Sequence, residues 1–449
     1  MSEDVLKNLA SDVLERLKKG GATEAKVVAR TGQDLSVRVR MSEVELVEEA
    51  GTRSLSVRVS KGKRTATAST SDLTAPGIAR IVSDGLELCD LTEEDPFTGL
   101  PDPADLAKEN PDLKLFDPAC GSVTAAQAVE RAKRGEKAAQ EFDAKITNSE
   151  GSTFARTAGG FVLATSGGFC AGYRGSYASI SVQPVARDEG GRNRTAGYWS
   201  ARRVLSQLES EESVGREAAR RTIALLGARK VPTCSVPVIF EADAARSLLG
   251  TFAGCIVGDA IYRRSSYLTD RLGSPVASSL VTIVDDPLIP AGPGSRPFDG
   301  DGLPSRRNLV VENGVLKTFL LDTYGARKLG MKSTGSAAGA TGSGAGTSNF
   351  ILQAGTMSLE ELVRATPKGL YVTHMMGFGF NPVTGDFSRG ASGFWVENGE
   401  FVHPVSEITI SLNFDQLLQR IDAVANDLDL KSSTASPSVR VSEMTVAGS

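Results

Sequence analysis

Apolar and polar residues alternate along much of the first half of the chain, which predicts a sheet flanked by helices. Residues 3–19 show helical spacing of leucine and valine, and Gly20-Gly21 ends that segment. The alternating runs AKVVAR, DLSVRVR, EVELVEE, SLSVRVS and RTATAST follow. Short turns at Thr31-Gly32-Gln33 and Lys61-Gly62-Lys63 are expected to join them as hairpins, so the pattern indicates an antiparallel sheet.

The remainder of this half alternates between helical and strand-like segments. Helices are predicted over residues 71–88, 120–142 and 205–227, and the acidic, proline-rich stretch 91–114 reads as a surface connection. Strand-like runs STFART, GFVLATS, FCAGYRG, YASISVQPVA and TAGYWSA lie between the second and third helices. The N-terminal half is therefore predicted to be α+β.

The second half begins near Lys230 and has shorter strands and more glycine. The hairpins VVENGVLK and WVENGEFV both place Asn-Gly between apolar strands, which is the preference of a type I′ turn. Helices are expected over residues 322–330, 358–365 and 414–428. At 449 residues the chain exceeds what one core usually supports, so we predict two α+β domains, residues 1–228 and 229–449.

The second domain is organised around the segment Pro237–Leu268, PVIFEADAARSLLGTFAGCIVGDAIYRRSSYL. A short β-branched run follows the proline, and residues 242–256 place four large apolar side chains on helical spacing, which predicts a strand followed by a buried helix. Gly250, Gly254 and Gly258 recur every fourth residue, so a continuous helix would align them in one strip without side chains. Tight helix packing is the favoured explanation, with close approach of a ligand or peptide as the alternative.

Composition narrows the classes of function. The chain has 50 Lys and Arg residues and 54 Asp and Glu residues, which give a net charge of −4. Because nucleic-acid-binding proteins usually carry a basic surface, this balance disfavours nucleic-acid binding. No apolar run reaches the roughly 18 residues of a membrane helix, and the charged start does not resemble a secretory signal. Five widely spaced cysteines without a C-x-x-C pair indicate reduced structural thiols. We expect a cytoplasmic protein.

Several segments invite chemical hypotheses, and each has a simpler structural explanation. Residues 333–349, STGSAAGATGSGAGTSN, lack the Gly-Lys-Ser/Thr ending of a phosphate loop and are predicted to form a mobile flap. His374, expected on a strand face with Leu370 and Val372, and His403 are the only histidines. Because a zinc site needs three or four converging ligands, a core or surface role is preferred for both.

A cysteine and three aspartates could also form a catalytic site, and each has a simpler structural explanation. Cys255 has no recognisable general base, so a buried structural thiol is favoured over a nucleophile. Asp299 and Asp301 in FDGDG, with Asp386 in TGDFS, could form a carboxylate constellation, but their glycine neighbours favour turn formation. No catalytic residue is assigned.

Longer motifs carry a family resemblance. GDAIYRRSSYLTDRLGSPVAS, TIVDDP, FDGDGLPSRRNLVVENGVLKTFLLDTYGARKLGMKSTG, SNFIL, GLYVTHMMGFGFNPVTGDFSRGASGFWVENGEFVHPVSEITI and the closing VSEMTVAG cover most of residues 237–449. Together they resemble the TldD/PmbA family of peptidase-complex subunits. The order of elements before them is compatible with that family.

The resemblance also implies a branch of the family. TldD-type subunits carry His-Glu-x-x-x-His just before a Gly-Asp pair, together with a cysteine near the C-terminus. With Gly258-Asp259 set on that pair, Leu249 and Gly250 occupy the positions of the first His and the Glu, and Gly254 that of the second His. None of these side chains can bind zinc, and no cysteine follows Cys255 in the sequence. The chain therefore resembles the PmbA (TldE) branch, the partner of TldD.

The resemblance implies a heterodimer in which a TldD-type paralogue holds zinc and hydrolyses extended or modified peptides, while this chain shapes the chamber. No cofactor is expected in this chain, which could form a homodimer when alone. The family is linked to maturation of microcin-type peptides, to antitoxin degradation and, by an old name, to gyrase modulation. The charge balance gives no reason to expect DNA contact. Two alternatives remain: an independent non-metal hydrolase, and a structural or peptide-binding protein without a peptidase partner.

Overall fold

The computed structural model describes residues 2–339 and 344–448. Strand residues (39%) outnumber helical residues (26%), which confirms a mixed α and β protein. The helices are α1 Glu3–Lys19, α2 Ala75–Asp90, α3 Pro118–Gly121, α4 Ala125–Gln140, α5 Glu211–Ala224, α6 Ala242–Cys255, α7 Gly258–Tyr262, α8 Thr323–Leu329, α9 Leu359–Arg364 and α10 Phe414–Gln419.

The strands form three sheets. Those of the first sheet are β1 Glu24–Arg40, β2 Glu43–Lys61, β3 Arg64–Thr70, β4 Ile146–Thr165, β5 Cys170–Arg187, β6 Asn193–Thr195 and β7 Tyr198–Arg202. The later strands are β8 Cys234–Phe240, β9 Ile283–Asp285, β10 Asn308–Glu312, β11 Val315–Leu316, β12 Phe350–Leu352, β13 Lys368–Met376, β14 Asp386–Glu397, β15 Glu400–Asn413, β16 Ile421–Val424, β17 Thr434–Ala435 and β18 Val439–Ala447.

The first sheet has the order β3-β2-β1-β4-β5-β6, with β7 also paired to β5, and its neighbours are antiparallel. The predicted turn at Gly62 is confirmed, since it joins β2 to β3. The predicted turn at Gly32 is wrong, because Gly32 lies inside β1 opposite Thr52 and Gly159. A Cβ at Gly159 would lie 2.3 Å from the Thr31 carbonyl oxygen, so glycine permits close strand contact here rather than a turn.

Helices cover one face of this sheet in two groups. Leu6, Val13 and Leu17 of α1 pack with Ile78 and Ile81 of α2 over the end of the sheet where β1 begins. Apolar residues of α4 and α5 pack over the other end, together with inward side chains of β1, β4 and β5. The predicted helices over 120–142 and 205–227 are thus present but shorter, and α3 is separate from α4.

The second half of the chain is built around β8, which lies between β13 and β18 in a six-stranded sheet. Both Asn-Gly turns are confirmed: Asn313 and Gly314 have φ of 46° and 82°, and Asn398 and Gly399 have φ of 52° and 78°. The predicted helix 414–428 is too long. The helix ends early because Ile421 begins the strand β16 and pairs with Val441 of β18.

The two halves contact each other through the face of the first sheet opposite α1 and α4. Phe298 packs on Phe161, Phe169 and Tyr173 of β4, β5 and their connecting turn, with ring centroids 4.9–6.1 Å apart. The boundary at residues 228 and 229 falls between α5 and β8 and stays a prediction. In the described part of the chain, no helix is both long enough and apolar enough to cross a bilayer.

Candidate functional site

The helix α6 follows β8 and presents an open face to its surroundings. Leu248, Leu249 and Phe252 turn into the core, and the exposed fraction of Leu249 is only 6%. Gly250 and Gly254 lie on the opposite side and are exposed, and a Cβ added to either would meet no described atom within 4 Å. The structure therefore leaves this glycine face of α6 open, and the expected tight helix packing at these two positions is wrong within the described chain.

Gly258 is not part of that face, so the predicted continuous strip of three glycines is wrong. The helix α6 ends at Cys255, and Ile256 leaves helical geometry with φ −115° and ψ 4°. Gly258 starts α7, is buried, and donates its N–H to the Leu320 carbonyl oxygen at 2.9 Å. A Cβ there would lie 3.1 Å from Leu321 Cδ2, so this glycine serves packing inside the domain.

Polar and aromatic side chains flank the open face of α6. Ser247 Oγ accepts a hydrogen bond from Arg389 Nη1 at 3.0 Å, and Arg389 Nε is buried without a hydrogen-bond partner in the described chain. Burial lowers the pKa of Arg389. At the preceding residue, the Arg246 guanidinium lies 5.6 Å from the centre of the Trp199 ring on β7. The start of α6 thus faces the first sheet.

The facing surface of the first sheet contains a cavity of about 690 Å³. Residues of β1, β2, β4 and β5 line it, and they combine short side chains such as Ser36 and Ser179 with the charged side chains of Glu48, Glu49 and Arg156. Tyr177 also lines it and donates its hydroxyl to the Lys431 carbonyl oxygen at 2.5 Å. Lys431 Nζ in turn lies 5.8 Å from the Trp199 ring centre. The cavity and the start of α6 are therefore neighbours across the contact between the two halves, which is a common location for ligand sites.

Exposed apolar side chains occur at the end of β13 and in the segment that follows it. Met376, at the end of β13, pairs with Gly390, the residue after Arg389. Met376 is half exposed, Val383 more than half, and Phe378 fully exposed. Several large exposed apolar residues within one short segment are typical of a surface that another molecule covers.

The residues at the zinc-motif positions do not fit a metal ion. Leu249 is buried and apolar, and Gly250 and Gly254 have no side-chain donors. Within residues 2–339 and 344–448, no three His, Cys, Asp or Glu side chains lie together in a way that could hold a metal. None of these three side chains can therefore act as a zinc ligand.

Neither histidine joins a cluster. A bulge between Val372 and His374 places His374 on the surface, so the prediction that it shares a face with Leu370 and Val372 is wrong. His403 is half-buried with Nδ1 3.1 Å from the Pro404 carbonyl oxygen. The preference for core or surface histidines over a metal site agrees with these positions.

Cys255 is the last residue of α6 and is buried, as expected for a structural thiol. Burial raises the pKa of the thiol to about 12, partly offset by Ser266. Its Sγ lies 3.5 Å from the Thr251 carbonyl oxygen. A thiol in this state is protonated at neutral pH and is not an activated nucleophile.

Asp299 and Asp301 form a buried acidic pair between the two halves. Asp299 accepts hydrogen bonds from the N–H groups of Asp301, Leu303 and Ala337, which confirms its predicted role in turn formation. Burial and the neighbouring Asp301 raise the pKa of Asp299 to about 7. Asp386 is exposed on β14, accepts from Thr384 Oγ1 at 2.6 Å, and does not join them.

A buried lysine completes the acidic pair, and no motif pointed to it. Lys26 has an exposed fraction of 1%, and its Nζ lies 2.9 Å from Asp301 Oδ1 and 2.9 Å from the Gly300 carbonyl oxygen. Burial would raise the pKa of Asp301, but the Lys26 ammonium and a hydrogen bond from the Thr323 N–H keep it below its usual value. The only sequence signal was a lysine among the small apolar residues of AKVVAR.

The segment 333–349 is only partly the surface flap that we predicted, and residues 340–343 lie outside the described residues. Thr334, Ser336 and Asn349 are buried. Thr334 Oγ1 accepts from the Leu321 N–H at 2.7 Å, and Asn349 Nδ2 donates to Ser295 Oγ at 2.7 Å. Its ends are therefore fixed by side-chain hydrogen bonds, which a composition-based prediction cannot register.

Comparison with known proteins covers nearly the whole chain. Three family domains match: PmbA/TldA metallopeptidase domain 1 at residues 25–89, the central domain at 118–226 and the C-terminal domain at 233–448. The chain is 38% identical over 444 residues to the metalloprotease PmbA of Escherichia coli O157:H7, covering 99% of this chain and 96% of that protein.

Two solved structures share the fold. A protein of Bacteroides thetaiotaomicron described as a putative modulator of DNA gyrase superposes with a TM-score of 0.92 at 27% identity, and 99% of each chain is covered. TldE from Thermococcus kodakarensis has a TM-score of 0.88 at 22% identity, covering 98% of this chain and all of that one, and shows similarity of fold.

Proposed function

The chain belongs to the PmbA/TldD metallopeptidase family, and we propose that it acts there as the PmbA (TldE)-type subunit of a two-chain peptidase. A TldD-type paralogue would hold the zinc and hydrolyse the peptide bond. This chain would supply part of the wall of the peptide chamber and no metal ligand. We place this assembly in the cytoplasm, and expect neither nucleic acid nor membrane as a partner.

One observation carries the proposal: the three positions of α6 that the family resemblance sets on the zinc motif present no donor side chain. Leu249 points into the core, and Gly250 and Gly254 form a bare face. The family fold is kept, but metal-assisted hydrolysis needs a polarising ion and an activated water that this helix cannot hold. The chain therefore needs a partner to take part in proteolysis.

The open face of α6 suits an extended peptide or the surface of a partner that approaches closely. Backbone groups of an extended chain supply their own hydrogen bonds, and side chains absent from the helix leave room for that backbone. The neighbouring cavity of about 690 Å³ on the first sheet adds short polar side chains and the charged side chains of Glu48, Glu49 and Arg156.

Co-purification with the His-Glu-x-x-x-His paralogue from the same genome tests the proposal. We expect a complex that cleaves unstructured peptides, with zinc in the paralogue and none in this chain. Zinc should be quantified for each chain separately and for the complex. Stoichiometric zinc and peptide cleavage by this chain alone would overturn the proposal.

Substitutions on α6 test the role of its open face. Gly254→Leu fills the face with a large side chain, so we expect loss of complex formation or of peptide cleavage, whereas Gly254→Ala should retain more of both. Arg80→Leu is the control, because it puts the same side chain on an exposed position of α2. Full assembly and cleavage by Gly254→Leu would count against a functional role of this face.

An independent non-metal hydrolase is the main alternative, and the described residues give it little support. The Cys255 thiol is buried with a raised pKa, and the Asp299 and Asp301 carboxyls are enclosed and fully hydrogen bonded. A structural or peptide-binding protein without a peptidase partner is the second alternative. It predicts that the paralogue neither binds this chain nor needs it for cleavage.

A further inference from the structure

The strand β2 has an unusually long free edge. It pairs with β1 along its whole length from Glu43 to Arg53 and beyond, but β3 covers its other edge only from Leu55 to Lys61. Residues 43–54 therefore have no strand against their outer edge within the described chain. At about 3.3 Å per residue this edge is roughly 40 Å long.

This free edge also exposes apolar side chains on both faces of the sheet. Every residue from 43 to 53 is exposed. The exposed fractions of Val44, Leu46 and Val47 are 45%, 42% and 46%. Leu46 and Val47 are adjacent and so point to opposite faces. Soluble proteins usually protect such edges with charged side chains, above all lysine, or with proline, a bulge or a covering element. Residues 43–54 contain four glutamates and a bulge opposite Arg38 and Val39, but no lysine, no proline and, within the described chain, no covering strand.

The free edge carries mainly negative charge. Glu43, Glu45, Glu48 and Glu49 stand against the single cation Arg53. Glu45 pairs with Arg38 at 2.9 Å and Glu49 with Arg156 at 3.3 Å. Glu43 and Glu48 have no ion pair in the part of the chain that the structure describes. Antiparallel pairing of this edge with that of a second copy would bring like charges together, which is unfavourable.

We propose that the free edge of β2, residues 43–54, accepts an extended basic strand of the partner subunit. The inference rests on the two-chain assembly proposed above and names the surface that forms it. Backbone hydrogen bonds would extend the first sheet into the partner, and Lys or Arg side chains of the incoming strand would pair with Glu43 and Glu48. A folded partner fits better than a single peptide strand, because apolar side chains on two faces need cover.

Charge reversal at the two unpaired carboxylates tests the proposal. Glu43→Lys/Glu48→Lys should weaken association with the paralogue by at least about tenfold and flatten its dependence on salt, because attraction becomes repulsion. Glu93→Lys/Glu109→Lys is the matched control, since it makes the same change of charge at exposed residues outside the edge. Dissociation constants should be measured at low and high salt for all three proteins.

Hydrogen exchange gives a readout that is independent of these substitutions. Amides in peptides covering residues 43–54 should exchange more slowly in the wild-type complex than in the free chain, because the partner strand accepts their hydrogen bonds. Unchanged exchange there, or wild-type affinity of Glu43→Lys/Glu48→Lys, would overturn the edge proposal while leaving the two-chain assembly intact. Failure of the wild-type chain to bind the paralogue would overturn both.

Discussion

Lys26 Nζ and Asp301 Oδ1 lie 2.9 Å apart in a buried ion pair that joins the first sheet to the second half of the chain. Lys26 also donates to the Gly300 carbonyl oxygen, and Asp301 accepts from the Thr323 N–H at 3.1 Å. Because these polar atoms are satisfied by residues on both sides, the pair holds the two halves in one relative position.

Removing the lysine should destabilise the protein strongly. In Lys26→Met, Asp301 keeps its buried charge without a partner, and loss of one member of such a pair typically lowers the free energy of unfolding by about 3–5 kcal/mol. Urea unfolding followed by circular dichroism measures the change. Lys7→Met is the control, because Lys7 pairs with Glu3 on the surface of α1 and should matter by less than about 0.5 kcal/mol.

A double substitution separates the electrostatic contribution of the Lys26–Asp301 ion pair from the contribution of packing. Lys26→Met/Asp301→Leu should be less destabilised than Lys26→Met, because the second change removes the uncompensated charge. If the double variant is instead the sum of two large losses, the electrostatic explanation fails and packing or backbone contacts dominate.

Stability should fall as pH rises from about 4 to about 7. The pKa of Asp299 is raised from 3.8 to about 7 by burial and by Asp301, so in this interval the folded protein binds a proton that the unfolded chain releases. The pKa of Asp301 is shifted downward, so its own titration lies below this window. Urea unfolding at about pH 4.5 and about pH 7.5 tests the sign.

The variant Asp299→Asn cannot titrate at this position and should show a smaller difference between the two pH values. An undiminished pH dependence in Asp299→Asn would mean that another group is responsible. Glu130→Gln, on an exposed position of α4, should behave like the wild-type chain.

The three glycines of the central segment should respond differently to alanine. Gly250→Ala and Gly254→Ala add a methyl group to an open helix face, so each should stabilise the isolated chain by about 0.5–1 kcal/mol. Gly258→Ala places its Cβ 3.1 Å from Leu321 Cδ2 and should destabilise by about 1 kcal/mol or more. The thermal unfolding temperature should rise in Gly250→Ala and Gly254→Ala and fall in Gly258→Ala. Equal changes in all three variants would contradict the described packing.

Alkylation should distinguish the cysteines. Cys255 is buried and its thiol pKa is raised to about 12, so iodoacetamide at about pH 8 should leave it unmodified in the folded chain. Cys170 is exposed and should react within the same experiment. Mass spectrometry of tryptic peptides reports both sites, and urea should make Cys255 reactive. Rapid labelling of Cys255 in the native protein would contradict this assignment.

Local patterns determined much of this protein. Apolar spacing predicted α1, α8 and α9, and Asn-Gly predicted two hairpin turns, because these elements depend on neighbouring residues alone. The absence of side-chain donors at Leu249, Gly250 and Gly254 was also readable directly, since these side chains have no sulfur, nitrogen or oxygen atom that could bind zinc in any fold.

Tertiary structure decided the rest, because it depends on which distant segments meet. Gly32, inside β1, was predicted to form a turn, but its pairing with Gly159 of β4 makes it a site of close strand contact. Pairing of β16 with β18 ended the predicted helix before Ile421. The break after Cys255 separated Gly258 from the open face of α6. Lys26 and Asp301, which are 275 positions apart in the sequence, form an ion pair. The free edge of β2 is likewise defined by where β3 stops, which no property of residues 43–54 encodes.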